Sequence, residues 1–269
     1  MSLQITFLHS LSQRAGHNFL AQIIIQTGDF KTINYESYET LSTALFGDLH
    51  KKLNYSNHFV RAKDSKNIEL QLIVDGYRKE LLKLNSNILL KSPFLDSISQ
   101  IEVFPKDKHI ILLRDPYNLF VSVEKSIYNF RTTNIKTTIK RVCRPLYSLY
   151  FLLKWRKKMN FYHNLSSSSQ FPNNVLLIKY EGLRENKTLE ALSEFLEIKK
   201  LTVKDVGKVH NINSSFAPKD EQWKLHNKNV GDPNKRYKNA PLWIKLYCYL
   251  FLRKEREIHN KINDYSQFR

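Results

Sequence analysis

Residues His109–Arg114 read HIILLR, an unbroken apolar run that ends on an arginine and is followed at once by Asp115-Pro116. A strand with water on one face alternates apolar and polar residues. This run does not, so it is expected to be covered on both faces. Asn87–Lys91 (NILLK) and Val175–Tyr180 (VLLIKY) have the same character, as do Ile5, Phe7 and Leu8 near the start. Between these runs the apolar residues recur at helical spacing, over Gly16–Ile25, Tyr35–Leu53, Lys66–Leu84, Phe94–Phe104, Asn118–Tyr128 and Lys187–Leu196. Strands buried on both faces and alternating with helices define a parallel sheet between two helical layers, a three-layer α/β fold.

Ligands of such sheets bind at the carboxyl ends of the strands. Those ends carry Ser10–His17, Lys91, Arg114 and Tyr180-Glu181, so three of the four bring a basic group to one rim. The first is a strand, a small polar turn and a helix opening at Gly16, where free N–H groups and the helix dipole favour an anion. Arg14 adds a fork of donors suited to phosphate or sulfate oxygens. Aligned on Gly16, the pattern G-x-x-x-x-G-K-[ST] would need Gly at Leu11, Lys at His17 and Ser or Thr at Asn18. None is there, which argues against a metal-bound triphosphate and leaves an anionic donor that needs no metal.

Composition narrows the partners. The chain has 269 residues with a formal charge of +18, enough for a full core and suited to an anionic partner such as a nucleotide, an acidic saccharide or a membrane surface. Two cysteines, Cys143 and Cys248, make neither a disulfide framework nor a metal cluster, as expected of a reducing compartment. No signal peptide and no membrane-spanning run are read, so the expected location is cytoplasmic. The long basic segment Ile135–Phe161 reads as one helix without an acid, and Pro241–Ile262 as a closing amphipathic helix. Tyr147, Tyr150, Phe151 and Trp155 in the former could stack on bases, but no nucleic-acid module pattern is present and nucleic acid is not expected. Together with Trp243–Lys254, that segment also suits peripheral contact with an anionic membrane surface. Leu201–Asn239 is polar with little periodicity and reads as a surface flap on a single domain spanning 1–269.

On these residues the chain resembles sulfotransferases that use 3′-phosphoadenosine 5′-phosphosulfate (PAPS) and release adenosine 3′,5′-bisphosphate (PAP). QRAGHNFL is similar to the family's phosphosulfate loop, with Arg14, Gly16, Phe19 and Leu20 fitting and Ala15, His17 and Asn18 departing. ILLRDPYNLFVS resembles the 3′-phosphate motif, with Ser122 eight residues past Arg114. ILLKSP and IKYEGLRENKTLEALSEFLEI resemble two further family segments, and the likeness runs to about Ile198. It implies a P-loop-like fold, PAPS as donor, no metal and a hydroxyl acceptor, a carbohydrate or glycolipid first and a protein tyrosine second. A metal-independent nucleotide-binding or kinase-like enzyme of the same topology is the other reading.

The resemblance also implies roles. Arg14, Ala15, Gly16, His17 and Asn18 would cradle the phosphosulfate, with Arg14 and Lys91 stabilising charge during transfer. Arg114 and Ser122 would take the 3′-phosphate. Ser214 and Tyr180 are weaker nucleotide contacts, and Lys235-Arg236-Tyr237 stands where soluble members place late basic contacts. Small-molecule members carry a histidine two residues after the equivalent of Lys91; here that position is Pro93. The base is then expected to be Glu36, twenty residues past Gly16, with Glu39 and His50 as alternatives.

Overall fold

The computed structural model describes residues 3–10, 15–33, 45–46, 48–49, 63–92, 97–128, 138–139, 142–156, 159–160, 162, 172–207, 211–212, 225–226, 234–262 and 265–267. Its centre is a six-stranded sheet. The strands are β1 (Ile5–Ser10), β2 (Phe30–Lys31), β3 (Asn87–Ser92), β4 (Lys108–Leu113), β5 (Val175–Lys179) and a last one at Tyr265–Gln267, in the order β2-β3-β1-β4-β5 and then the last strand. The first five are parallel, and Thr6 of β1 stands opposite Leu89 on one side and Lys108 on the other. The last strand joins β5 antiparallel, an edge not foreseen in the sequence.

The apolar strands are buried on both faces, as their composition requires. Leu8, Leu89, Ile110, Leu112, Leu176 and Ile178 point to one layer, built from α1 (His17–Ile25) and the later helix Asn186–Leu196. Their neighbours along the strands point the other way. Ile5, Phe7, Ile88 and Leu90 pack on α2 (Lys63–Leu82) and on Val103 of α3 (Ser97–Val103). Ile111, Leu113, Val175 and Leu177 pack on α4 (Pro116–Tyr128), α5 (Arg144–Arg156) and the helix Leu242–Lys261. Among the described residues the later α-helices are, in chain order, α6 (Asn186–Leu196), α7 (Val203–Val206), α8 (Lys235–Lys238) and α9 (Leu242–Lys261).

The basic segment is helical over most of its described residues. Thr138, Ile139 and Val142 are helical, as is α5, with a turn at Cys143 between them, whose N–H donates to the Ile139 carbonyl at 2.9 Å. Pro145 stands in the first turn of α5, where its missing N–H is tolerated. The helix expected over Tyr35–Leu53 falls mostly outside the described residues. Of the expected flap, the structure describes α7, a two-residue antiparallel pair Asn211–Ile212 with Leu225–His226 (β6 and β7), and α8; the edge strand Tyr265–Gln267 is then β8.

The chain turns outward from β1 to β2 and β3, then crosses over β1 to β4 and β5. Connections therefore leave in opposite directions on either side of the β1/β4 boundary, and the crevice above such a switch is where this architecture receives ligands.

Candidate active site

Two groups of side chains flank that crevice. On the β1 side, α1 begins at Gly16 with φ +105°, without a side-chain cap and without an acid in its first turn. Its opening N–H groups are therefore not claimed by a capping side chain, and nothing repels an anion placed there. Leu20 closes the first helical bond onto the Gly16 carbonyl at 3.1 Å, while Ser10 Oγ and His17 Nδ1 meet at 3.2 Å. From β3, Lys91 reaches across and donates to Asn18 Oδ1. Lys91 is wholly buried, with no exposed surface. An ammonium removed from water and aimed at a helix N-terminus suits a site that an anion completes.

On the β4 side, Arg114 follows directly after the strand and is 7% exposed. Tyr162 fixes the backbone there, its hydroxyl donating to the Arg114 carbonyl at 2.6 Å. Asp115 and Pro116 turn the chain: Asp115 Oδ1 accepts from the Asn118 N–H at 2.9 Å, capping α4, and Pro116 takes the first helical position. The other carboxylate oxygen of Asp115 accepts from Arg256 Nε at 2.9 Å, tying α9 to the strand end. In this Arg-Asp-Pro sequence the arginine faces the crevice while the other two residues build its support.

Asn118 carries the construction further. Its side chain donates to Asn234 Oδ1 at 2.8 Å and accepts from the Tyr237 N–H at 3.1 Å, docking α8 against α4. The result places Arg236 on Ser122, donating to its hydroxyl. Arg114, Ser122 and Arg236 thus come from two segments far apart in sequence to form one cationic, hydroxyl-bearing cradle. Burial lowers the Arg114 pKa from its ordinary value, and the nearby Arg236 cation lowers it further; a bound phosphate would offset both. Arginine remains protonated throughout.

Tyr180 joins the two sides. Its N–H donates to the Leu113 carbonyl at 2.7 Å, extending the β4–β5 ladder by one residue and bringing the ring beside Arg114. The Arg114 guanidinium lies 4.7 Å from the ring centre. The same ring occupies the space above Gly16, where an added Cβ would stand 2.3 Å from Cδ2. Glu181 follows and accepts from the Asp115 N–H at 3.1 Å. Burial raises its pKa, but His259 at 3.6 Å and that N–H outweigh burial and leave the carboxyl below its ordinary value.

Of the residues singled out in the sequence, Ala15, Gly16, His17, Asn18 and Lys91 therefore gather on one side of the crevice, Arg114 and Ser122 on the other, and Tyr180 between. Arg14, Glu36, Glu39, His50 and Ser214 lie outside the described residues. Ordinary motif reading did not single out Asn118, Tyr162 or Arg256. Their signal is a donor or acceptor whose partner is 48 to 141 positions away, which no local pattern reveals. Among the described residues no three or more His, Cys, Asp or Glu side chains stand together as a metal site. None of the described helices is long and apolar enough to cross a membrane.

No protein-family model matches the chain, and no curated protein matches it. Among solved structures it is similar to the sulfotransferase domain of the Synechococcus PCC 7002 olefin synthase, at 15% identity and a TM-score of 0.49, covering 94% of this chain and 96% of that one. It is similar also to mouse sulfotransferase SULT7A1 in complex with PAP, at 14% identity and a TM-score of 0.46, covering 97% and 90%. A third similar structure is a retinol dehydratase with androsterone and the inactive cofactor PAP, at 13% identity and a TM-score of 0.45, covering 95% and 82%.

Proposed function

We propose that this chain, as a single domain, transfers a sulfuryl group from PAPS to a hydroxyl acceptor, with carbohydrate or glycolipid as the acceptor class and the cytoplasm as its location. The observation that carries the reading is the pair of anion cradles on either side of the β1/β4 crevice, joined by one aromatic ring. A nucleotide with an anionic group on each side of its ribose needs two cradles, whereas a simple monophosphate needs one. The motif resemblance assigns the same residues to the same two ends.

In this reading the 3′-phosphate is held by Arg114, Ser122 and Arg236, and the phosphosulfate by residues 14–18 with Lys91. Tyr180 packs on the nucleoside between them. The acceptor oxygen forms a bond to sulfur as the bond from sulfur to the phosphate oxygen breaks. Negative charge grows on the departing phosphate, where Lys91, Arg14 and the N–H groups opening α1 are placed to stabilise it. The acceptor's proton passes to Glu36 acting as general base. The chain's own cations supply what a divalent ion supplies to nucleotide hydrolases, so the reaction needs no metal.

The test is mass spectrometry of saccharide, glycolipid and tyrosine-peptide acceptors incubated with PAPS and EDTA. A sulfated saccharide or glycolipid is expected, and Glu36→Ala should keep PAP binding while losing product. A sulfated tyrosine peptide alone would move the acceptor class. Product formation only with ATP in place of PAPS, still in EDTA, would establish the metal-independent kinase-like alternative instead.

A further inference from the structure

Helices α5 and α9 lie side by side and run in the same direction. Arg144 near the start of α5 stands 5.8 Å from the ring of Trp243 near the start of α9, and Arg156 at the end of α5 lies 3.5 Å from Glu255. Each helix buries one stripe: Ser148, Leu152 and Trp155 on α5, and Ile244, Cys248, Leu252, Glu255 and His259 on α9. The opposite crown of each faces water, and on an ordinary surface helix it would be polar. Here it is not. Leu146 is 70% exposed, Leu246 53% and Leu250 60%, with Leu153 and Leu242 exposed beside them.

Scattered exposed leucines need no explanation, but two stripes on neighbouring helices form one apolar surface. Its surroundings are cationic. From Arg144 to Arg156 and from Leu242 to Lys254 there is no acid; one turn further on, exposed Glu257 pairs with Arg253 at 2.7 Å. Exposed Lys154 and Arg253 lie over the rings of exposed Tyr150 and Tyr249, at 4.7 and 5.5 Å. At the N-terminal end of both helices opens a pocket of about 460 Å³, lined by Val121, Lys125, Lys235 and Ile244 and by Arg144 paired with Glu124 at 2.8 Å.

We infer that this two-helix face docks on an anionic lipid bilayer. The leucines enter the acyl boundary, the tyrosines sit at headgroup depth, and the long basic side chains extend their charges to the lipid phosphates. A second copy of the chain is the poorer occupant, because each face would bring its own cations against the other's. The inference stands apart from the sulfotransferase reading, although it would bring a membrane-bound acceptor within reach: Arg236, which lines the pocket, also bonds Ser122 of the nucleotide cradle.

The experiment is flotation of the full chain with extruded vesicles of phosphatidylcholine alone or mixed with phosphatidylglycerol, without nucleotide. Binding is expected to the mixed vesicles only and to weaken in 0.5 M salt, because the attraction is partly electrostatic. Lys154→Ala with Arg253→Ala should lower the partition coefficient about thirtyfold. Leu246→Glu with Leu250→Glu should abolish flotation while leaving the thermal melt and PAP affinity unchanged. Equal binding to both vesicle types, or no binding to either, overturns the inference. So does flotation of the glutamate variant at the wild-type level, or a wild-type dimer that this variant converts to monomer. None of these outcomes bears on whether PAP binds, so the two readings fail separately.

Discussion

Replacing Gly16 by alanine probes the contact that joins the two cradles. Gly16 has φ +105°, a region that costs a residue with a Cβ about 1–2 kcal/mol. The added carbon would stand 2.3 and 2.4 Å from Cδ2 and Cε2 of Tyr180, so the ring must move by more than about 1 Å to regain van der Waals distance. That ring gives Arg114 a cation–π contact at 4.7 Å and Phe19 an edge contact at 6.1 Å. Disturbing both costs about another 1–2 kcal/mol. The total is about 3 kcal/mol, or a fall in Tm of about 6–12 °C for a chain of this size. PAP affinity should fall on the order of tenfold or more, because a shifted Tyr180 displaces Arg114 as well as the loop.

The assay is a double-mutant cycle with Tyr180→Ala, read by thermal melting and by calorimetric titration with PAP. In the Tyr180→Ala background the steric share disappears, and Gly16→Ala should cost only its backbone share. A coupling of about 1–2 kcal/mol is therefore expected between the two positions. If Gly16→Ala melts and binds as the wild type does, or costs the same with and without the Tyr180 ring, the close approach is not what selects glycine there.

Two further outcomes follow from the supports of the site. Asp115→Ala removes the cap of α4 and leaves Arg256 without its carboxylate, and should lower stability by about 3 kcal/mol in a chemical denaturation series; a loss below about 1 kcal/mol would show that Asp115 does not hold the α4–α9 junction. The buried His9–His109 pair predicts acid sensitivity. Burial holds His109 down to about 4, and burial with the charge of His109 holds His9 well below its ordinary value. The unfolded chain then binds protons near pH 6.5 that the folded chain refuses, so stability falls as pH drops below that point. His109 alone removes about 2 kcal/mol by pH 5, above the range where carboxylates titrate. A flat melting temperature between pH 6.5 and 5 would contradict it.

Much of the fold is legible in the sequence because its central strands are covered on both faces. HIILL and VLLIK could not be half-exposed strands, and a parallel sheet follows from them. The edge strand Tyr265–Gln267 left no such trace, being short and without an apolar run. The basic segment is helical over most of its described residues, as its spacing requires, with a turn at Cys143 just before Pro145, whose ring is tolerated in the first turn of α5. At the site, Lys91 and Arg114 are legible from their place at strand ends. The reason for Gly16 is not: it opens a helix, but the ring that excludes a Cβ there belongs to a residue 164 positions later. Likewise the resemblance marks Lys235-Arg236-Tyr237 as late basic contacts, but which of the three meets Ser122 is decided only where Asn118 docks their helix.

The central claim is that two cationic cradles hold the two ends of one nucleotide. It is tested most directly by calorimetric titration, in EDTA, of PAP and of adenosine 5′-monophosphate into the wild type and Arg114→Ala. The wild type should bind PAP more tightly by about 3 kcal/mol, the worth of charge-assisted bonds to the 3′-phosphate, and Arg114→Ala should remove most of that difference while leaving the monophosphate unchanged. Equal affinity of the wild type for the two ligands, or PAP binding that Arg114→Ala leaves intact, would contradict the account.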